Sequence, residues 1–234
     1  MYSPFPSGHF FSNKWTSSFC QIAPFLAEND ISRCLKGKTV YIMGDSTSRQ
    51  WIEYLESHLK GLKFTKQADS YVSLLAVDAP NNITVHWKKH AHPWISYNVV
   101  NMKKTHFISE VLDSIEVGGE GEDVIVVIGI GQHFRPYPLQ FFVSRLLSIR
   151  RAILRLQTRS PKAHVIIKLE NTRELTSMMI QFSDWYGHTQ NLAQRKVFQD
   201  LKVVLVDAWD MSVAAKSFAI HPNRIIVSNE VAVA

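Results

Sequence analysis

The residues best suited to chemistry form one short run, Gly44-Asp45-Ser46-Thr47-Ser48-Arg49. It follows the β-branched and aromatic segment 39–43, which predicts a buried strand. Beyond it Ile52, Leu55 and Leu59 recur at helical spacing, with Gly61 placed to stop the helix. Gly44 permits a tight turn, and Asp45 and Ser46 suit a helix start. A serine hydroxyl there is a candidate nucleophile, and the unpaired N–H groups of the first helical turn face any developing negative charge. The plain alternative is a capped helix after a strand, without catalysis.

Such a serine needs a scaffold. Residues 71–77 and 83–87 read as strands around an Asp-Ala-Pro-Asn-Asn turn, 105–116 as a helix, 118–122 as a turn and 123–128 as a buried strand. A long helix over 138–157, a strand at 163–169, a helix near 186–200 and a strand at 203–206 follow. Strands alternating with helices predict an α/β fold with a mostly parallel sheet covered on both faces. Ligands bind beyond the carboxyl ends of strands in such sheets, which selects residues 44–49, 129–135, 170–173 and those from 207 onward.

Several blocks carry a resemblance. The segment 37–51 resembles the GDSxxR block of PC-esterase domains, a branch of the SGNH/GDSL superfamily that acts on O-acyl groups of glycans. Further matches are Phe10-Phe11 with Trp15 and Cys20, the run Trp87-Lys88-Lys89-His90-Ala91-His92-Pro93, the run 131–136 and the run 207–211. Together they resemble the carboxyl-terminal domain of the neurexophilin and PC-esterase domain family over residues 8 to 222. The resemblance implies an SGNH-hydrolase-like three-layer sandwich. It also implies an O-acetyltransferase or O-acetylesterase working through a Ser46 acyl-enzyme on glycan hydroxyls, with a sialylated glycoconjugate as the expected partner. No tightly bound cofactor is expected; acetyl-CoA would serve a transferase as acetyl donor, whereas an esterase needs only water.

The same resemblance distributes the roles. His221 falls where the family has the histidine of an Asp-x-x-His motif and is the expected base, but Phe218 and Ala219 stand where an acid would orient it. Asp207 or Asp210 could reach across instead, and His133 is an alternative base. The oxyanion donors would be the Ser46 and Gly131 N–H groups with the Gln132 side chain; a pair of turn glycines is the alternative for Gly129 and Gly131. By spacing alone, Arg49 lies one turn after Ser46 and could hold Asp45 or a substrate carboxylate in support of the nucleophile, or be a plain surface arginine, with Glu53 one turn on as a partner for it. His90, His92 and Arg135 are candidates to line the substrate cleft, surface histidines being the plain alternative for the first two. His86, His90 and His92 also invite a metal reading, but no fourth ligand accompanies them, and none is expected. The tail Ser228-Asn229-Glu230-Val231-Ala232-Val233-Ala234 stands in place of the apolar closing helix and terminal cysteine of the family, so an impaired domain that binds a glycan or protein is the competing reading.

Bulk properties set the remaining bounds. At 234 residues and 46% apolar content, one well-buried domain is expected over 37–234, with 1–36 as an arm leading into it. The basic residues Arg145, Arg150, Arg151, Arg155, Arg159 and Lys162 of this +6 chain alternate with apolar residues at helical spacing and describe a solvated face, or a surface that steers anionic glycans, rather than a nucleic-acid module. No apolar run is long enough to cross a bilayer, and the first residues lack signal-peptide features. The family nonetheless implies the secretory pathway, either the Golgi lumen or secretion. There Cys20 and Cys34 would form a disulfide worth about 3 kcal/mol, and Asn82-Ile83-Thr84 would accept a glycan. In a reducing compartment the cysteines would be thiols.

Overall fold

The computed structural model describes residues 6–22, 27–65, 72–91, 105–116, 124–174 and 180–234. A hairpin of β1 (Gly8–Phe11) and β2 (Lys14–Ser17) opens the chain, followed by α1 (Glu28–Leu35). Then come β3 (Thr39–Gly44), α2 (Ser46–His58), β4 (Lys63–Phe64), β5 (Ser73–Asp78), β6 (Ile83–Lys89) and α3 (Ile108–Ser114). The second half runs β7 (Val124–Gly129), α4 (Leu139–Arg159), β8 (His164–Lys168), α5 (Asp184–Phe198), β9 (Val204–Val206), α6 (Ala208–Ala214) and α7 (Arg224–Val233).

The main sheet has the order β4-β5-β6-β3-β7-β8-β9. From β6 to β9 its pairings are parallel, while β4, β5 and β6 pair antiparallel. Alternation along the strands divides the core into two layers. Val126 and Ile128 of β7 pack with Leu112 of α3, Phe142, Leu146 and Ile153 of α4, and Phe198 of α5. Val127 of the same strand lies in the opposite layer, with Ile52 and Leu55 of α2, Met211 of α6 and Ile226 of α7. Helices on both faces of a mostly parallel sheet make this a three-layer α/β sandwich.

α4 buries Phe142, Leu146, Ile149, Ile153 and Leu156; Arg150 pairs with Asp200 and Arg155 with Asp113, whereas Arg145, expected on the solvated face, is half-buried over the Phe134 ring and donates to Ala91 O. The expected turn at 118–122 lies outside the described residues, as does the start of the strand expected at 123.

Two expectations change. The chain closes with a helix after all, because Asn223 caps α7 through the Ile225 and Ile226 N–H groups and Ile226, Val227 and Glu230 are buried. The first residues are also more than an approach to the domain: Trp15 joins the core beside α2, its N–H donates to Asn229 Oδ1 over 2.7 Å, and Ser7 N–H donates to Asp210 Oδ2 over 2.8 Å.

β3 stands at the topological switch. The chain leaves β3 toward β6 and leaves β7 toward β8, opening a crevice at the carboxyl ends of β3 and β7. Gly44 and Gly129 face each other there in register, and Asp45 N–H donates to Gly129 O over 3.1 Å. A Cβ on Gly44 would overlap the Gly129 carbonyl oxygen, so this approach requires glycine.

Candidate active site

Ser46 is the first residue of α2, delivered to the end of β3 by the turn at Gly44 and Asp45. Asp45 is fully buried and caps the helix: its Oδ1 accepts from Thr47 N–H at 2.9 Å and from Thr47 Oγ1 at 2.7 Å. Ser48 Oγ donates to the Asp45 carbonyl at 2.7 Å and accepts from Trp87 Nε1 at 3.3 Å, fixing the turn to β6. The half-buried Ser46 therefore sits at the positive end of a helix dipole on a backbone held from three sides.

The decisive contact is long-range. His221 Nε2 lies 2.8 Å from Ser46 Oγ, across a sequence separation of 175. His221 comes from the segment between α6 and α7, and Gln50, one turn beyond Ser46, donates from Nε2 to the next carbonyl, Pro222 O, at 2.9 Å. An Nε2 that accepts the serine proton carries its own proton on Nδ1. Among the described residues nothing accepts that Nδ1 proton. Asp207 is held by Arg195 and by Asp210 N–H, and Asp210 by Ser7 N–H, so neither serves as its acceptor in this structure.

The other sequence-predicted residues separate into groups. Arg49 pairs with Glu53, Nε to Oε1 3.0 Å, and lies over the Trp87 ring. Gln132 Nε2 donates to Asn171 O at 3.3 Å and its Oε1 accepts from Arg173 at 3.4 Å, so this amide is engaged with the 170–173 loop. Gly131 is pressed against Glu170, whose carboxyl a Cβ there would overlap. Arg135 is corrected from cleft to core: it is fully buried, donating to Asn171 O, Phe182 O and Asp184.

His90 is likewise buried rather than lining a cleft. Its Nδ1 faces Ala91 O at 3.0 Å and its Nε2 faces His133 Nδ1 at 2.8 Å. A carbonyl only accepts, so neutral His90 carries its proton on Nδ1 and accepts at Nε2 from His133 Nδ1–H. His133 is thus committed to His90, and the imidazole on Ser46 is that of His221. His92 lies outside the described residues. Among the described residues no group of three or more side chains could hold a metal ion. Cys20 and Cys34 are both exposed with free thiols in this structure, and Asn82 is exposed in the turn between β5 and β6.

Beneath the site lies a buried ionic layer that sequence reasoning missed. Glu170 follows β8 at full burial, and desolvation, reinforced by the Asp45 carboxylate, pushes its carboxyl up to about 8 despite Arg135, Lys168 and Arg173 nearby. Lys168 donates to Asn171 Oδ1 at 2.6 Å and to Thr47 Oγ1 at 3.4 Å. Asn171 in turn donates to Ser212 Oγ at 2.8 Å and Glu230 Oε1 at 2.7 Å. The only advance signal was position, since residues 170–173 lie at a strand's carboxyl end.

Residues 15–234 match the family described as NXPE family member 4-like, C-terminal domain. The chain belongs to the NXPE family. Solved structures of similar fold include a member of the lipolytic protein G-D-S-L family from Veillonella parvula DSM 2008, at 11% identity and a TM-score of 0.41, covering 83% of this chain and 94% of that one. Another is the acetylxylan esterase Axe2 from Geobacillus stearothermophilus, at 15% identity and a TM-score of 0.42, covering 84% of this chain and 90% of that one. In this family member the GDS block and the late histidine, remote in sequence, share one site.

Proposed function

We propose that this NXPE family domain is an acyl-transfer enzyme that forms an acyl-enzyme at Ser46, with O-acetyl groups of glycan hydroxyls as its substrate class and sialic acid as the first sugar to test. The observation that carries this reading is the 2.8 Å contact between Ser46 Oγ and His221 Nε2. His221 takes the hydroxyl proton as Ser46 Oγ attacks the acyl carbonyl carbon. The tetrahedral oxyanion forms beside the Ser46 and Gly131 N–H groups, and as it collapses His221 returns the proton to the leaving oxygen or sulfur. In the second half, His221 deprotonates water or an acceptor hydroxyl, which attacks the acyl group and frees Ser46. An esterase uses water as acceptor; a transferase uses a sugar hydroxyl and takes its acyl group from acetyl-CoA or a like donor. The two share the first half-reaction.

The missing acid at His221 Nδ1 favours a second reading, a domain that keeps the cleft but only binds a glycan or a protein. One experiment separates them. Incubation with a serine-directed phosphonate followed by intact-mass and peptide analysis is expected to add one adduct at Ser46 and none in Ser46→Ala. An unmodified native chain selects the binding reading. A secretory-pathway location, proposed from the family, is tested by glycosylation at Asn82 in expressed material, whose persistent absence would count against it.

A further inference from the structure

Among the described residues Gln50 and His221 each hold one polar atom without a partner, and the two atoms are complementary. Gln50 lies one turn after Ser46 and so on the same side of α2. Its Nε2 donates to Pro222 O at 2.9 Å, and because a carbonyl only accepts, that bond decides which way the amide points. The other amide atom, Oε1, is buried and has no partner among the described residues. A buried acceptor left unmatched is costly, which makes it a place to look for an interaction formed in another state of the site.

His221 is the residue next to that Pro222 carbonyl. When Nε2 accepts from Ser46 Oγ, Nδ1 bears the proton, and that proton meets no acceptor among the described residues. Phe218 and Ala219 supply no side-chain acceptor, and Asp207 and Asp210 are engaged elsewhere.

We infer that Gln50 is the positioning residue that stands in for the triad acid, its Nε2 clamping the Pro222 carbonyl while its Oε1 accepts the Nδ1 proton of His221. The inference rests on the acyl-transfer reading for its catalytic consequence, not for the contact itself. An amide in a triad-acid position ordinarily risks turning its NH2 to the ring and selecting the wrong tautomer. The Pro222 carbonyl removes that risk by occupying the NH2, so the oxygen faces the imidazole. A neutral amide fixes the ring without offsetting the imidazolium charge, so the resulting catalyst is slower than one with a carboxylate there.

The test uses the full chain, nitrogen-15 labelled at histidine, with the His221 signals assigned by their loss in His221→Ala. The native ring is expected in the Nδ1–H tautomer. Gln50→Met, which keeps side-chain length and removes both polar atoms, should give the averaged tautomers of an unrestrained imidazole and slow phosphonate labelling of Ser46 by tenfold or more. Gln50→Glu, which keeps the acceptor, should retain the Nδ1–H signature. A native ring already averaging, or a folded Gln50→Met variant with native tautomer and labelling rate, overturns the inference. If the native chain takes no label yet the His221 signature responds to Gln50→Met, the contact stands and the acyl-transfer reading falls.

Discussion

Trp51 Nε1 donates to Glu230 Oε2 over 2.8 Å, tying the helix that carries Ser46 to the last helix of the chain. Glu230 is fully buried; its other oxygen accepts from Asn171, and Lys168 Nζ stands 3.8 Å away, also buried. The helix that follows the His221 loop, α7, is therefore anchored by a polar cluster that the apolar core surrounds.

Removing one member should expose the cost of the others. Glu230→Ala removes the carboxylate facing the buried Lys168 cation and leaves two donors unmatched, and a loss of about 3–5 kcal/mol is expected. Urea unfolding checks it; a shift in midpoint worth under about 1 kcal/mol would mean that the cluster is hydrated.

Glu170 links stability to pH. Its carboxyl titrates at about 8 in the folded chain and near the ordinary carboxyl value of 4.5 when unfolded. Between those values the native state holds a proton that the unfolded state has lost, so stability falls as pH rises from about 4.5 to about 8 and the effect levels off above. Glu170→Gln should flatten that part of the profile and gain on the native chain toward pH 8, measured by denaturant unfolding across the range.

Asn223 caps α7 two residues after His221, accepting from Ile225 N–H at 3.0 Å and Ile226 N–H at 3.2 Å. Asn223→Ala should cost about 1 kcal/mol. It should also slow phosphonate labelling of Ser46, since the cap sets where the His221 loop joins the helix. An unchanged labelling rate would show that the loop is held without it.

Gly44→Ala drives a methyl group into the Gly129 carbonyl at the mouth of the crevice. The expected outcome is separation of β3 from β7 at that end, read as loss of hydrogen-exchange protection at Asp45 N–H, together with loss of labelling at Ser46.

On the proposed acyl-transfer mechanism, His221→Ala removes the base but not the nucleophile. Labelling of Ser46 should fall by about 10²–10⁴-fold while the unfolding midpoint stays near the native value, because the ring is exposed. A rate within a few fold of native would assign the proton transfer to another group.

Local chemistry was legible in the residues themselves. The turn at Gly44, the cap at Asp45 and the start of α2 depend on bonds spanning three or four residues, and β7 and α4 announce themselves by period, so these elements appear close to where the pattern puts them. α7 was not anticipated, because its apolar residues are few and its stability comes from burying Ile226, Val227 and Glu230 against distant partners. Arg135 reads as a cleft residue only while its burial is unknown, for a charge at a strand end looks the same whether it faces solvent or Asp184.

The sequence by itself determined that a serine stands at the amino end of a helix, at the carboxyl edge of a mostly parallel sheet. Only the tertiary structure decided which imidazole meets it, that Asp207 and Asp210 are bonded elsewhere, and that Gln50 holds the loop of His221. The physical reason is range: capping and periodicity act between near neighbours, whereas the meeting of Ser46 with His221 requires the whole sheet and both helical layers to close first.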